Sequence, residues 1–360
     1  MVSISLCMIV RDEAAVLARC LDSVRDAVDE IVIVDTGSVD DTKKIAAQYT
    51  DLIFDFAWEE DFSLARNVSF SKAGMDYCMW MDADDVLPAE EKRKLLAWKE
   101  RTENMPDIVM MKYAAAFDEQ GRAVFVYERE RLMKRSAGFL WEGRVHEAIA
   151  PRGVVIHLDI CLEHRSQKKA YGTRNLDIYE KMKREGVTFS ARDLFYYGRE
   201  LYYHKRYEEA VVNLEQVLQR EDAFAENQVE ACRLAAYCCY ELGRDETALS
   251  FLLEGLKFRA PAGELCCDIG KHYYDRKQWE EALFWYQGAL HAVRHTTGGA
   301  FVQEEFYGYI PCIQACVCCD RMGEHENALA WHRRAGNYKP YGREFLENEE
   351  YFGRISEKTA

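Results

Sequence analysis

Four pairs of small residues in the second half of the chain keep one spacing: Gly198 and Ala210, Ala236 and Ala248, Gly270 and Ala282, and Cys316 and Ala328 are each twelve positions apart. The alanines follow one another at intervals of 38, 34 and 46 residues, and Pro340 falls twelve after Ala328. The stretches KRYEEAVVNLEQVL, GRDETALSFLLEGL, RKQWEEALFWYQGAL and GEHENALAWHRRA can be laid over one another. A recurring unit of this length marks a repeat architecture, and these stretches read as helical. One unit cannot bury its own apolar face, so units stack, and stacking makes a solenoid with a concave surface. The pattern dictates an all-α second half, with HAVRHTTGGAF read as an inserted loop that lengthens the third interval.

This period and its small residues resemble the tetratricopeptide repeat. The divisions expected are 1–168 for a first domain, 169–189 for a linking helix, 190–342 for the repeats and 343–360 for a C-terminal tail.

The first half has another rhythm. Short apolar runs alternate with amphipathic stretches: a strand over Val2 to Val10, a helix over Ala14 to Val28, the strand EIVIVD, a helix headed by a Ser38 cap and running to about Thr50, the strand LIFDF, a helix over Leu64 to Ala73 and a strand over Tyr77 to Met81. Apolar strands separated by helices imply a mainly parallel sheet covered on both faces. From Asp107 the chain reads DIVMMKYAAAF, DEQG and RAVFVYERERLMKR, a hairpin and further strand expected as an add-on sheet.

Composition excludes several classes. With 62 acidic residues against 47 basic ones, nonspecific binding to nucleic acid or anionic membrane is disfavoured. No apolar run approaches the roughly 20 residues that span a bilayer, and the start has no basic n-region, so the cytoplasm is the expected location. The thirteen cysteines lie among aliphatic and aromatic residues, as reduced thiols used for packing would.

Ligands of open α/β sheets bind beyond the carboxyl ends of the strands. Asp12 and Glu13 fall there after the first strand, Asp35 after the second, and Asp82 and Asp84 after the fourth. Neither G-x-G-x-x-G nor G-x-x-x-x-G-K-[ST] occurs, which argues against hydride-transfer and P-loop chemistry. Repulsion between carboxylates this close is costly unless water, hydrogen bonds or a cation offsets it, and hard oxygen ligands point to Mn or Mg as the cation expected there. Such a cation also lets an acidic site accept a phosphorylated ligand.

The motifs SLCMIVRDEAAVLARCLDSV, DEIVIVDTGSVDDT, DFSLARN and MWMDADD, in this order, resemble family 2 glycosyltransferases of the Rossmann-like GT-A fold over roughly the first 165 residues. With WEGRVHEAI and the helical repeats, the resemblance extends to the bacterial subgroup of sublancin-type peptide S-glycosyltransferases. It implies an α/β nucleotide-sugar domain followed by an all-α repeat solenoid. It also implies an inverting, metal-dependent transfer of a hexose or N-acetylhexosamine from a UDP-sugar to a protein or peptide. Asp35 would accept the uracil N–H, Asp82 would lie toward the ribose, and Asp84 would hold the metal. Arg66 would approach the nucleotide or its diphosphate, the alternative being an ion pair with Glu59, Glu60 or Asp61. Glu147 would be the base. His146 and His164 would be a metal ligand or a diphosphate contact, or else hydrogen-bonded structural histidines. Asp12 departs from the Asn usual in the family. Asp85 is expected to cap the following segment, and Trp141 to be core or a sugar platform. Two other functions fit the same residues: transfer to a lipid-linked or lipopolysaccharide-core sugar, and a noncatalytic repeat scaffold. The repeats could also pair two copies as a homodimer.

Overall fold

Period-two alternation sets the first unit. In the computed structural model, which describes residues 2–101, 105–118, 121–166, 172–294 and 302–359, β1 (Ile4–Val10) sends Ile4, Leu6, Met8 and Val10 to one face of a sheet and Cys7 to the other. The middle of the DEQG turn, residues 167–171 of the connection and 295–301 of the inserted loop lie outside the described residues. After β1 come α1 (Leu17–Val24), β2 (Glu30–Asp35), α2 (Thr42–Ala46), β3 (Ile53–Asp55), α3 (Phe62–Ser71) and β4 (Tyr77–Trp80). Strands β3, β2, β1 and β4 pair in parallel in that order. The first face packs on Leu17, Cys20, Leu21 and Val24 of α1; the second packs on Phe70 of α3 and on Phe139 and Trp141.

Then follow β5 (Asp85–Val86), α4 (Ala89–Arg101), β6 (Ile108–Phe117), β7 (Ala123–Lys134), β8 (Val155–His164) and α5 (Arg174–Arg184). The hairpin β6–β7 does not form a separate add-on sheet. Antiparallel pairing of β7 with β4 carries one sheet through all eight strands, in the order β3-β2-β1-β4-β7-β6-β8-β5. Register places Val10 beside Asp35, and Asp85 beside His164. The ends of β1, β2 and β4 and the last residue of β8 are thereby gathered at one edge. The expected helix after Ser38 is shorter than its pattern. Ser38 Oγ accepts the Asp12 N–H at 3.0 Å, and Asp40 takes the Thr42 N–H at 2.9 Å, so these side chains shape the loop at the sheet edge and α2 starts only at Thr42.

Residue contacts divide the chain into Met1–Val187 and Thr188–Ala360. The second unit runs α6 (Ala191–Tyr203), α7 (Tyr207–Leu218), α8 (Ala225–Glu241), α9 (Asp245–Glu254), α10 (Gly263–Asp275), α11 (Trp279–Ala289), α12 (Tyr309–Arg321) and α13 (His325–Gly336). The small residues sit where the helices touch. A Cβ on Gly198 would come within 2.7 Å of Leu214, and one on Gly270 within 3.0 Å of the Tyr286 ring. Ala210, Ala248, Ala282 and Ala328 are fully buried. Residues 343–359, read as a tail, form α14 (Arg343–Thr359), whose Phe345 stacks on His332 at 4.4 Å. All thirteen cysteines are free thiols, and all but Cys161 are buried.

The turn inside each helix pair is the same. Lys205, Gly243, Lys277 and Gly323 have φ of 60°, 69°, 62° and 81°, each five residues before its repeat alanine. The next N–H reaches back to the helix in every case: Arg206 to Leu201, Arg244 to Cys239, Gln278 to Tyr273 and Glu324 to Cys319. These are Schellman turns, which favour glycine in the left-handed position. Lys277 is exposed and bears the cost of its Cβ there. Lys277→Gly is therefore expected to stabilise the repeats by about 0.5–1 kcal/mol, seen as a higher urea midpoint; a lower midpoint contradicts this account.

Candidate active site

The tip of β4 is built around a carboxylate that no solvent reaches. Asp85 is fully buried and accepts the Asp82 N–H at 3.0 Å, the Tyr113 hydroxyl at 2.6 Å and an Arg131 N–H at 3.4 Å. It does not cap the following segment; it braces the loop that carries Asp82 and Asp84. Arg131 is fully buried as well, stacked 3.8 Å from the Trp80 ring centroid and 4.4 Å from that of Tyr113. Its Nη1 also donates to the Trp80 carbonyl at 3.1 Å.

Facing outward from this brace are Asp84 and His164. His164 Nδ1 lies 3.4 Å from Asp84 Oδ1, 3.4 Å from Asp85 Oδ1 and 2.9 Å from the Tyr113 hydroxyl. The hydrogen bond to Asp85 raises the His164 pKa most, against burial, with the charges of Asp84, Asp85 and Asp82 adding to it. Ligand atoms of Asp84, Asp85 and His164 all fall within 4.8 Å of one another. That span and donor set suit a hard divalent cation. Asp85 is fully buried and already engaged by Asp82, Tyr113 and Arg131 as well as His164, so the more open Asp84 and His164 are the groups that would hold the ion. His146 does not join this cluster. It takes a left-handed φ of 53° in the turn that presents Glu147.

Arg66 pairs with Asp82 and Glu147. It is buried, its guanidinium 4.8 Å from the Trp80 ring centroid and 4.9 Å from that of Trp141. Its Nη2 donates to Asp82 at 2.8 Å and its Nε to Glu147 at 2.5 Å. It therefore makes no pair with Glu59, Glu60 or Asp61 and joins the two carboxylates instead. Burial opposes its charge, but Asp82 and Glu147 outweigh that and raise its pKa. Reciprocally, burial pushes the Asp82 carboxyl up while Arg66 pulls it further down, for a net lowering. Trp141, buried with its ring against Arg66 and Trp80, is one wall of this clamp.

Asp35 closes the opposite side. It is 1% exposed, and its Oδ1 accepts the N–H groups of Gly37 at 2.9 Å and Ser38 at 2.8 Å. Its Oδ2 is buried with no partner among the described residues. A buried acceptor left unpaired is costly, and a ligand N–H would satisfy it. Asp12, φ 52°, staples the loops after β1 and β2 by accepting the Val39 N–H at 2.8 Å. The Glu13 N–H donates to Thr42 Oγ1 at 2.8 Å in the same loop pair.

Tyr113, Arg131 and the Arg66 clamp were not read as site partners from sequence. The available signal was YERERLMK, a charged run inside the strand that pairs with the β4 core.

A β1–β4 parallel sheet with carboxylates at its carboxyl edge, extended by an antiparallel hairpin, defines a GT-A-like domain. Residues 5–155, most of the first unit, match the family model "Glycosyl transferase family 2". The SPbeta prophage-derived glycosyltransferase SunS of Bacillus subtilis is 25% identical over 276 residues, 73% of this chain and 64% of that protein. A TPR repeat-containing protein of Synechococcus elongatus is 35% identical over 150 residues, 41% of this chain and 36% of that protein. An uncharacterized glycosyltransferase of Rickettsia felis is 34% identical over 90 residues, 25% and 31% of the two chains. The match thus spans less than two thirds of each relative's length.

Proposed function

We propose that the chain is an inverting glycosyltransferase that moves a hexose or N-acetylhexosamine from a UDP-sugar to a protein or peptide side chain. The observation that carries this reading is Asp35 Oδ2, a buried acceptor without a partner on the sheet edge that also bears the Asp84–His164 cluster. Uracil N3–H is a donor of the required kind.

In this reading Asp35 orients the base and Asp82 faces the ribose. Asp84 and His164 would hold Mn or Mg, which when bound supplies Lewis-acid neutralisation of the diphosphate. The acceptor nucleophile bonds to the anomeric carbon as the bond from that carbon to the phosphate oxygen breaks. The electron pair leaves with the diphosphate, and the acceptor proton passes to Glu147. Arg66 holds Glu147 through Oε1, which leaves Oε2 for that proton. The concave face of stacked repeats suits an extended chain, which supports assigning the acceptor to them. No helix among the described residues is long and apolar enough to cross a membrane, which counts against a membrane-embedded acceptor site.

Intact-mass analysis of proteins co-produced with this chain tests the proposal. A hexose or N-acetylhexosamine increment is expected on a protein, and none with Asp84→Ala. Increments that persist in Asp84→Ala, or no increment on any protein with the native chain, would reject it.

A further inference from the structure

The loop that carries Asp82 and Asp84 is held on one side by α1. Positions 19, 20 and 23 of that helix share a side, since residues three and four apart stand one above the other. All three side chains reach the backbone that follows β4. Cys20 Sγ donates to the Asp82 carbonyl at 3.4 Å, Arg19 Nη2 donates to the Asp84 carbonyl at 3.4 Å, and Ser23 Oγ accepts the Leu87 N–H at 3.1 Å.

Arg19 also joins this loop to a second segment. The same Nη2 donates to the Arg165 carbonyl at 2.7 Å. Arg165 follows His164, the last residue of β8, and its own N–H donates to the Asp84 carbonyl at 2.9 Å. That bond is one rung beyond the β5–β8 ladder, in which Asp85 faces His164. Arg19 therefore lays a side-chain bridge across the last rung, between a residue that supplies one candidate ligand and the neighbour of the residue that supplies the other. The Arg165 guanidinium is engaged elsewhere, stacked 3.6 Å from the Phe117 ring centroid and bonded to Glu163 at 2.9 Å. Asp84 Oδ1 and His164 Nδ1 stand 3.4 Å apart at this junction, so their spacing depends on how the two strand ends are clipped together.

We propose that Arg19 is a positioning residue for the divalent cation: by bridging the backbones of Asp84 and Arg165 it sets the spacing of the Asp84 and His164 ligand atoms. The inference rests on the reading of that pair as the metal ligands. Charge alone predicts the opposite effect, because a guanidinium beside the site repels a cation. A loss of metal affinity on removing Arg19 thus reports lost geometry.

Titration of the full chain with Mn, without and with UDP and followed by the EPR signal of free Mn, tests it. Arg19→Ala should weaken Mn binding by about tenfold, the low end of the effect of partners that orient metal ligands. Arg19→Lys should recover part of that loss, because an ammonium still donates to a carbonyl but lacks the planar fork. Arg25→Ala, on the same helix but paired with Asp22 at 3.5 Å and Asp26 at 3.8 Å, should leave Mn affinity unchanged. Unchanged or tighter Mn binding in Arg19→Ala overturns the proposal, and so does an equal loss in Arg25→Ala, which a general loosening of α1 would produce. Native chain that binds no Mn in either condition overturns the reading of Asp84 and His164 as ligands, a result distinct from one in which native and Arg19→Ala chains bind Mn alike.

Discussion

Glu147→Gln is expected to slow glycosyl transfer by about two to four orders of magnitude, the range of a general base, while donor affinity changes by less than about twofold. The amide keeps an oxygen acceptor, so the hydrogen bond from Arg66 Nε survives and the clamp between Trp80 and Trp141 stays in place. What is lost is the ability to take a proton. Single-turnover transfer, with UDP-sugar affinity measured separately by titration, distinguishes the two effects. Transfer at a near-native rate would move the base elsewhere. A parallel collapse of donor affinity would make Glu147 a structural partner of Arg66 and nothing more.

The second large effect is on stability. Arg66→Met removes one buried cation from two carboxylates, of which Glu147 is 11% exposed and Asp82 39%. Breaking a buried pair on one side costs about 3–5 kcal/mol, because the remaining charge stays uncompensated. Solvent at Asp82 places the expected loss near the low end, about 3 kcal/mol, or about 6–12 °C in the melting of the first unit. The same logic predicts rescue: adding Asp82→Asn and Glu147→Gln to Arg66→Met removes the orphaned charges and should restore a large part of the loss. Additive losses in the triple variant would show instead that the packing of Arg66 between the indoles is what matters, since an arginine also stabilises through its stem and its stacked face.

These two residues also show where sequence reading stops. Asp35, Asp82 and Asp84 were legible because their positions follow from strand ends, and strand ends follow from local alternation. His164 was legible as the last residue of an apolar strand. The meeting of Arg66 with Glu147 was not, since 81 positions separate them and only the folded sheet closes that distance. Asp85 was misread because a carboxylate before a helical stretch has the local signature of a cap, whereas the β5–β8 pairing turns it inward. Arg131 sits in a strand read only as part of a hairpin, and its burial is offset by Asp85, Trp80 and Tyr113 from other segments. In the second unit the period revealed the repeats, but the left-handed lysines left no mark, because lysine has no preference for that conformation. Helix α14 was missed because it breaks the spacing that defined the others.

The bracing of Asp85 has a thermodynamic consequence. A loop whose Asp82 N–H is held by a sunken carboxylate, itself pinned by Tyr113 and Arg131 of the neighbouring strands, has little freedom left to lose when a ligand arrives. Entropy that a floppy acidic loop would surrender on association is surrendered during folding instead, so a ligand at this edge would meet a preorganised surface and keep more of its contact energy as affinity.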